Sequence, residues 1–157
     1  MKTLTASVFL MLTLFLGTAS AEQYKLGSKV KAFAANDQHG KAYKFDANTR
    51  YLLLSDDMAT GKKANTALDA KDAPYLPSKK AVYVANIHGM PAIARIFAFK
   101  KMQKYSHRII YGDDKDLMTP FPLHPAHVTV LRLNSSGKIT RISYWDPATQ
   151  DVETHLK

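Results

Sequence analysis

The 157-residue chain contains no cysteine. Without a thiol it forms no disulfide, has no thiolate nucleophile and offers no thiolate ligand to a metal. Every reaction that uses a Cys-x-x-Cys pair is therefore excluded. The folded state must also depend on hydrophobic packing rather than on covalent cross-links.

Several short motifs with known chemistry are absent as well. The sequence around Gly61 does not match the P-loop motif. Asp56 stands where the first glycine is required, and Lys63 stands where serine or threonine is required. No two glycines stand two residues apart, which excludes the glycine fingerprint of dinucleotide binding, and no His-Glu-x-x-His sequence occurs. We therefore expect no bound cofactor.

A long apolar run occurs only near the start of the chain. Residues Val8 to Leu16 are interrupted only by one threonine, and the run is too short for the about 20 residues that span a bilayer. The small residues Ala19 and Ala21 follow it. This pattern predicts a secretory signal peptide over residues 1–21, cleaved after Ala21, and a periplasmic or secreted location. Residues 22–157 then form one domain that does not span a membrane.

Basic residues outnumber acidic ones. The chain has 22 Lys and Arg against 13 Asp and Glu, a formal net charge of +9, and loss of Lys2 with the signal peptide leaves +8. Such a charge raises the rate of encounter with anionic surfaces but does not determine a fold. No block of five basic residues occurs, so nucleic acid is not an expected partner. The expected partner is a protein or an anionic component of the cell envelope.

Strand patterns alternate with helix patterns along the chain. We predict a hairpin within Val30–Asp46, a buried strand Tyr51–Leu54, a helix over 62–70, a strand over 81–87, a helix over 91–104, a strand over 107–111, a proline-rich loop over 118–127, a hairpin over 128–144 and a C-terminal helix from Asp146 to about Leu156. This order predicts an α/β fold, a three-layer sandwich with a mixed central sheet and an N-terminal β-hairpin.

The predicted helix over residues 91–104 has a strongly apolar first half. Ile93, Ile96 and Phe97 fall together at helical spacing, with Phe99 and Met102 beside them. Its last turn is basic, with Lys100, Lys101 and Lys104. Positive charge there complements the helix dipole, so the lysines require no ligand to explain them.

This order of elements resembles the thioredoxin-like fold, in particular the peroxiredoxin and redoxin type with an added N-terminal hairpin. The residues that carry the resemblance are Asp37-Gln38-His39-Gly40-Lys41, the strand Tyr51–Leu54, and the segment from Val130 to Ile139. The resemblance covers most of residues 22–157. The chain is most similar to secreted bacterial thioredoxin-like proteins of uncharacterised function, including the YtfJ type.

The chain departs from the redox-active members at both halves of their site. In those members the first core strand runs into a loop that carries the attacking cysteine at a helix N-terminus. Here the stretch from Ser55 to Lys63 has no cysteine, and Thr60 requires a neighbouring base to act as a nucleophile. The cis-proline of the family falls near His127-Val128-Thr129, where no proline stands. The resemblance therefore implies a redox-inactive, non-catalytic module that binds a protein or envelope partner.

Polar residues at the ends of the predicted strands suggest an alternative function. In this fold the carboxyl ends of parallel strands meet at one corner, which would bring together Asp56, His88, His124 and His127. Carboxylates and imidazoles that converge can bind a divalent metal or perform acid–base chemistry. The alternative function is thus a thiol-independent enzyme or a metal- or cofactor-binding protein. The same residues are also typical of turn-capping aspartates and surface histidines.

The proline-rich loop contains the predicted partner-binding residues, Phe121 and Leu123. Prolines on either side fix the backbone, so these apolar side chains lose little entropy when they dock against a partner. The competing interpretation is that both side chains simply cover the core.

Overall fold

A computed structural model describes residues 22–157, so the predicted signal peptide lies outside the described residues. The strands are β1 Ala34–Asn36, β2 Ala42–Lys44, β3 Tyr51–Ser55, β4 Ala81–Asn86, β5 Ile109–Gly112, β6 Val128–Leu133 and β7 Ile139–Trp145. The helices are α1 Met58–Asp69, α2 Tyr75–Ser78, α3 Ala92–Met102 and α4 Lys115–Met118, followed by a 3-10 helix, Val152–Thr154. Over residues 22–157 no helix has the length and apolarity needed to cross a membrane.

Five strands form one mixed sheet in the order β5-β4-β3-β6-β7. The three strands β3, β4 and β5 run parallel, whereas β6 is antiparallel to β3, and β7 is antiparallel to β6. The strands β1 and β2 form a separate antiparallel hairpin. The predicted mixed sheet with an N-terminal hairpin is therefore confirmed.

The central sheet is buried on both faces because the apolar runs supply side chains to both. Leu53 and Tyr83 face a cluster that includes α1 and the end of α3, and neither residue is exposed to solvent. Leu52 and Leu54 face the opposite side, where the N-terminal segment and α4 cover them. Two parallel crossovers with the same right-handed sense place α1 and α3 on one face. The result is the predicted three-layer sandwich.

The helices differ from the sequence predictions at three places. The short helices α2 and α4 were not predicted, and α2 contains Pro77, which is tolerated in a first helical turn. The predicted C-terminal helix is only the 3-10 turn Val152–Thr154. In its place the Asp146 carboxylate accepts hydrogen bonds from the Ala148 amide at 2.9 Å and the Thr149 hydroxyl at 2.8 Å. These local bonds favour a turn over a helix.

The outer edge of β5 is closed by the N-terminal hairpin. The Gln38 side-chain amide donates to the His107 carbonyl at 2.8 Å, and its side-chain oxygen accepts from the Ile109 amide at 2.8 Å. The Gln38 backbone amide donates to the Ile109 carbonyl at 3.1 Å. Beside it, Asp37 pairs with Arg108 at 2.8 Å. Gln38 thus takes the place of a further strand along this edge.

Candidate functional site

The N-terminus of α1 follows β3 directly and is capped by Asp57. The Asp57 backbone is extended, and its carboxylate accepts hydrogen bonds from the Thr60 amide at 2.8 Å and the Thr60 hydroxyl at 2.7 Å. Aspartate is among the preferred residues at this position because it satisfies amides that have no partner within the helix. The helix therefore begins earlier than the predicted residue 62, and Gly61 lies inside it.

The loop before β6 also contributes to this cap. Partial burial raises the pKa of Asp57. Hydrogen bonds from Thr60 and from the backbone amides of Ala59 and Ala126 lower it by more than this, so the pKa of the carboxyl lies below its usual value. Ala126 has a φ of 61°, a left-handed conformation that costs an alanine about 1 kcal/mol. The helix N-terminus, which attracts anions, thus already holds a fixed negative charge.

Thr60 is not an activated nucleophile, although a carboxylate lies beside its hydroxyl. Its side chain is buried, with 2% of the residue exposed, so a substrate has no access to it. The lowered pKa of Asp57 also makes that carboxylate a weaker base than an ordinary aspartate. The N-terminus of α1 therefore offers neither an accessible hydroxyl nucleophile nor a strong base.

The four candidate ligands do not converge into one site. Asp56 accepts a hydrogen bond from the Asn86 side chain at 2.9 Å, and His88 donates through Nδ1 to the Asp113 carbonyl at 3.2 Å. His124 and His127 lie together, with ring centroids 4.8 Å apart. Over residues 22–157 no three His, Asp or Glu side chains are grouped so that they could hold a metal ion.

The two histidines of the pair are held by the backbone. Nδ1 of His124 lies 2.9 Å and Nδ1 of His127 lies 3.0 Å from the same Pro125 carbonyl oxygen. The His124 ring also packs against Tyr144, with centroids 4.7 Å apart. These contacts account for the orientation of both imidazoles in the exposed turn before β6.

A mostly apolar cleft lies between α1 and α3, next to the capped helix N-terminus. Its volume is about 150 Å³, enough for one apolar side chain rather than a cofactor. Two lysines, Lys62 and Lys101, contribute the positive charge of its lining. The capping residue Asp57 also borders the cleft, and the apolar lining includes three methionines and two alanines: Met58, Met90, Met102, Ala85 and Ala98.

Beneath the cleft, one buried hydrogen bond joins β3 to β4, and a second joins α1 to the segment that precedes β5. The Ser55 and Tyr83 hydroxyls share a hydrogen bond of 2.8 Å, and His107 donates through Nε2 to the Asn65 side-chain oxygen at 2.9 Å. Burial lowers the pKa of His107 to about 4, so the ring is neutral near pH 7. Burial likewise raises the pKa of Tyr83. The Tyr83 and His107 side chains beneath the cleft are therefore uncharged near pH 7.

Arg95 fixes the N-terminal half of α3. Its guanidinium donates to the Asp113 carboxylate at 2.8 Å and 2.5 Å, to the Ile87 carbonyl at 3.0 Å and to the Met90 carbonyl at 3.1 Å. A bidentate pair with two further carbonyl bonds holds a helix in one orientation. The wall of the cleft formed by α3 is therefore preorganised.

The predicted partner-binding loop is less accessible than expected. Phe121 is only 3% exposed and its ring packs edge-to-face against Tyr24, with centroids 5.2 Å apart. Leu123 is half-buried. Both side chains pack in the apolar cluster on the face of the sheet opposite α1. The burial of Phe121 therefore favours the competing interpretation, in which it covers the core.

The orientation of α3 also differs from the usual arrangement of an amphipathic helix. Ile93 is 72% exposed, Ile96 is 54% exposed and Phe97 is 72% exposed. The core instead receives Phe99 and Met102. Two apolar stripes run along this helix, and periodicity does not determine which stripe faces the core.

Comparison with solved structures agrees with the topology. The chain is similar to the thioredoxin domain of a thiol-disulfide oxidoreductase from Bacteroides vulgatus, with a TM-score of 0.55 and 16% identity over 86% of this chain and 100% of that one. This is the thioredoxin-like fold. It is also similar to a peroxidoxin from Mycobacterium tuberculosis, with a TM-score of 0.54 and 15% identity over 85% of this chain and 95% of that one.

A thiol:disulfide interchange protein from a Bacteroides species has a TM-score of 0.52 and 15% identity over 85% of this chain and 91% of that one. No family model and no curated protein matches the sequence. At these identities the likeness establishes the thioredoxin-like fold, while the chain lacks the cysteines that thiol–disulfide exchange requires.

Sequence reasoning missed Asp57 and the cleft. The signal for Asp57 was present, since an aspartate directly before a helical pattern is a typical N-cap. The cleft could not be found in the same way, because Met58, Met90 and Met102 come from different elements. Only the packing of α1 beside α3 brings them together.

Proposed function

We propose that this protein is a redox-inactive, exported thioredoxin-like module that binds a partner through the cleft between α1 and α3. The observation that carries the proposal is this preorganised apolar cleft beside a helix N-terminus that Asp57 has already capped. This corner has no thiol, and the Thr60 hydroxyl beside it is buried. It retains a surface for recognition.

The lining of the cleft indicates what it binds. Methionine side chains are flexible and polarizable, so Met58 and Met90 can adapt to differently shaped apolar groups. Lys62 and Lys101 favour a neighbouring negative charge. The matching ligand is an apolar side chain next to an acidic residue, on a protein or on an anionic component of the cell envelope.

Export of the module is proposed from the predicted signal peptide over residues 1–21. The envelope is therefore the compartment in which a partner should be sought. A direct test places a photo-crosslinking amino acid at position 58, which is 56% exposed at the rim of the cleft. The same group at Thr140, on β7, provides the control because this residue is exposed and distant in the fold.

Any partner captured only from position 58 is then purified, and its dissociation constant is measured with Met58→Glu and Thr140→Glu variants. Glutamate is well tolerated in a first helical turn, so Met58→Glu should keep the fold. We expect it to weaken binding by about tenfold or more, because it puts a carboxylate at an apolar rim. Equal affinity of both variants would show that the cleft is not the binding site.

A further inference from the structure

Helix α3 carries an apolar face that its packing does not use. Ile93, Ile96 and Phe97 expose between 54% and 72% of their surface, at three- and four-residue spacing along the outer side of the helix. The inner side already has its own apolar residues, Phe99 and Met102, in the core. Folding therefore gives no reason for three large apolar side chains on the outside.

Positive charge continues the same stripe. Lys100 follows Ile93 and Phe97 at helical spacing, Lys104 lies in the turn just after the helix, and both lysines are exposed. Between residues 22 and 157, no carboxylate lies within ion-pairing distance of either lysine. The outer side of α3 is thus apolar in its first half and carries unneutralised charge at its end.

We infer that the outer face of α3 is a membrane-interfacial surface that binds anionic phospholipid. Ile93, Ile96 and Phe97 enter the boundary between headgroups and acyl chains, and Lys100 and Lys104 bind lipid phosphates. Apolar and basic residues on one helix are the combination that interfacial helices use. The net charge of +9 draws the whole protein toward an anionic surface.

The surface fits lipid better than a second copy of the chain. Three side chains expose on the order of 300 Å², well below the about 800 Å² that each partner buries in a stable dimer. A second copy would also bring its own lysines toward the same stripe, and like charges repel. The outer face of α3 is convex because it is the outside of a single helix. A convex apolar surface can insert among lipid headgroups.

This surface is distinct from the cleft. Ala98, Lys101 and Met102 line the cleft, whereas Ile93, Ile96 and Phe97 do not. Arg95 holds the first half of α3 to Asp113, so the apolar residues are presented without a prior rearrangement. Lipid binding therefore goes beyond the proposed function and does not depend on it.

The test uses the full chain with Phe97→Trp, which keeps an aromatic anchor and adds a fluorophore. The native Trp145 is buried and gives a constant background. Vesicles are phosphatidylglycerol with phosphatidylcholine, or phosphatidylcholine alone, each with brominated acyl chains as quencher. A parallel Tyr144→Trp variant reports from β7, where the native residue is 40% exposed.

Two further pairs of variants in the Phe97→Trp background separate charge from position. Lys100→Gln with Lys104→Gln removes two charges from the end of the α3 stripe, and Lys31→Gln with Lys138→Gln removes two exposed charges elsewhere. Every variant carries the same residues 1–21, so differences among them report the substituted positions. At about fivefold per lysine near an anionic surface, the first pair should weaken partition by about 25-fold.

We expect the added fluorescence of the Phe97→Trp variant to shift to shorter wavelength and to be quenched with anionic vesicles but not with phosphatidylcholine alone, and to recover at high salt. The fluorophore of the Tyr144→Trp variant should not respond. An unchanged signal from the Phe97→Trp variant, or an equal loss in both lysine pairs, would overturn the proposal. Concentration-dependent self-association that is lost in Ile96→Gln would instead assign the face to a second copy.

Discussion

Helices α1 and α3 cover the same face of the sheet, yet they present opposite surfaces to solvent. The outer side of α1 is polar, with Lys62, Lys63, Thr66 and Asp69. The outer side of α3 is apolar over its first half, as described above. Both helices connect parallel strands, so the difference does not come from their place in the topology.

The two helices are also anchored by different means. Buried polar bonds hold α1, through the Asp57 cap and the Asn65 contact with His107. No side chain caps α3, whose N-terminal position is Pro91, and Arg95 fixes it instead from the second turn. The comparison shows that apolar content alone does not identify a core, because in α3 three large apolar side chains are exposed to solvent.

The largest expected effect concerns the core side of α1. Leu68 is 1% exposed, so Leu68→Ala removes buried contacts and leaves a cavity. We expect the free energy of unfolding to fall by about 2 to 5 kcal/mol. Urea unfolding followed by circular dichroism measures the change, and a loss below about 1 kcal/mol would place α1 outside the core.

The second expected effect is a pH dependence from the polar contact under α1. His107 has a folded pKa of about 4 because burial disfavours its charged form, against about 6.5 in the unfolded chain. Between these values the unfolded state binds more protons, so stability falls as the pH is lowered from about 6.5 to about 4. The fall is on the order of 3 kcal/mol.

The measurement is the free energy of unfolding between pH 7 and pH 4 for the native chain and for His107→Phe. The variant loses its bond to Asn65, so the two slopes are compared rather than the absolute values. The slope should be much smaller in His107→Phe. Identical slopes would show that other groups cause the pH dependence.

The third expected effect tests the cap of α1. Asp57→Ala removes the acceptor for the Thr60 amide and should cost about 1 kcal/mol, whereas Asp57→Asn keeps a cap and should cost less. Because the folded pKa of Asp57 is lowered, the advantage of its charge is present above about pH 4 and is lost as the pH falls through the folded pKa. Stability of the native chain and Asp57→Asn should therefore converge at low pH.

The smallest expected effect concerns the outer side of α3 and completes the comparison with Leu68. Ile96→Gln replaces an exposed side chain with a good helix former, so the free energy of unfolding should change by less than about 0.5 kcal/mol. The same urea measurement applies. A loss as large as that of Leu68→Ala would mean that the outer face packs against part of this chain.

Local patterns predicted most of the fold because the decisive signals were local. The continuous apolar run at β3 and the glycine turn between β6 and β7 both indicated strands where the structure has them. The order of these elements then left few topologies for the sheet. The prediction of a C-terminal helix was wrong because Asp146 and Asp151 cap short turns. Helix propensity does not reveal that such turns compete with a helix.

The candidate site was harder to predict because it depends on tertiary packing. Asp56, His88 and His127 do follow strand ends, but each is bound to its own neighbour, so closeness along one edge did not produce convergence. The sequence left two interpretations of Phe121 open, because a proline-rich loop predicts backbone stiffness and not the direction of a side chain. The cleft forms only where residues from three parts of the chain pack together, so no local sequence pattern predicts it.

The Gln38 contacts at the edge of β5 have a consequence for protein that is handled at high concentration. An open strand edge is a template onto which another chain adds, and such addition leads to aggregates. Here both polar ends of one side-chain amide occupy that edge, so the His107 carbonyl and the Ile109 amide are not free to pair with a second molecule. Loss of this one glutamine should therefore show first as polymerisation rather than as unfolding.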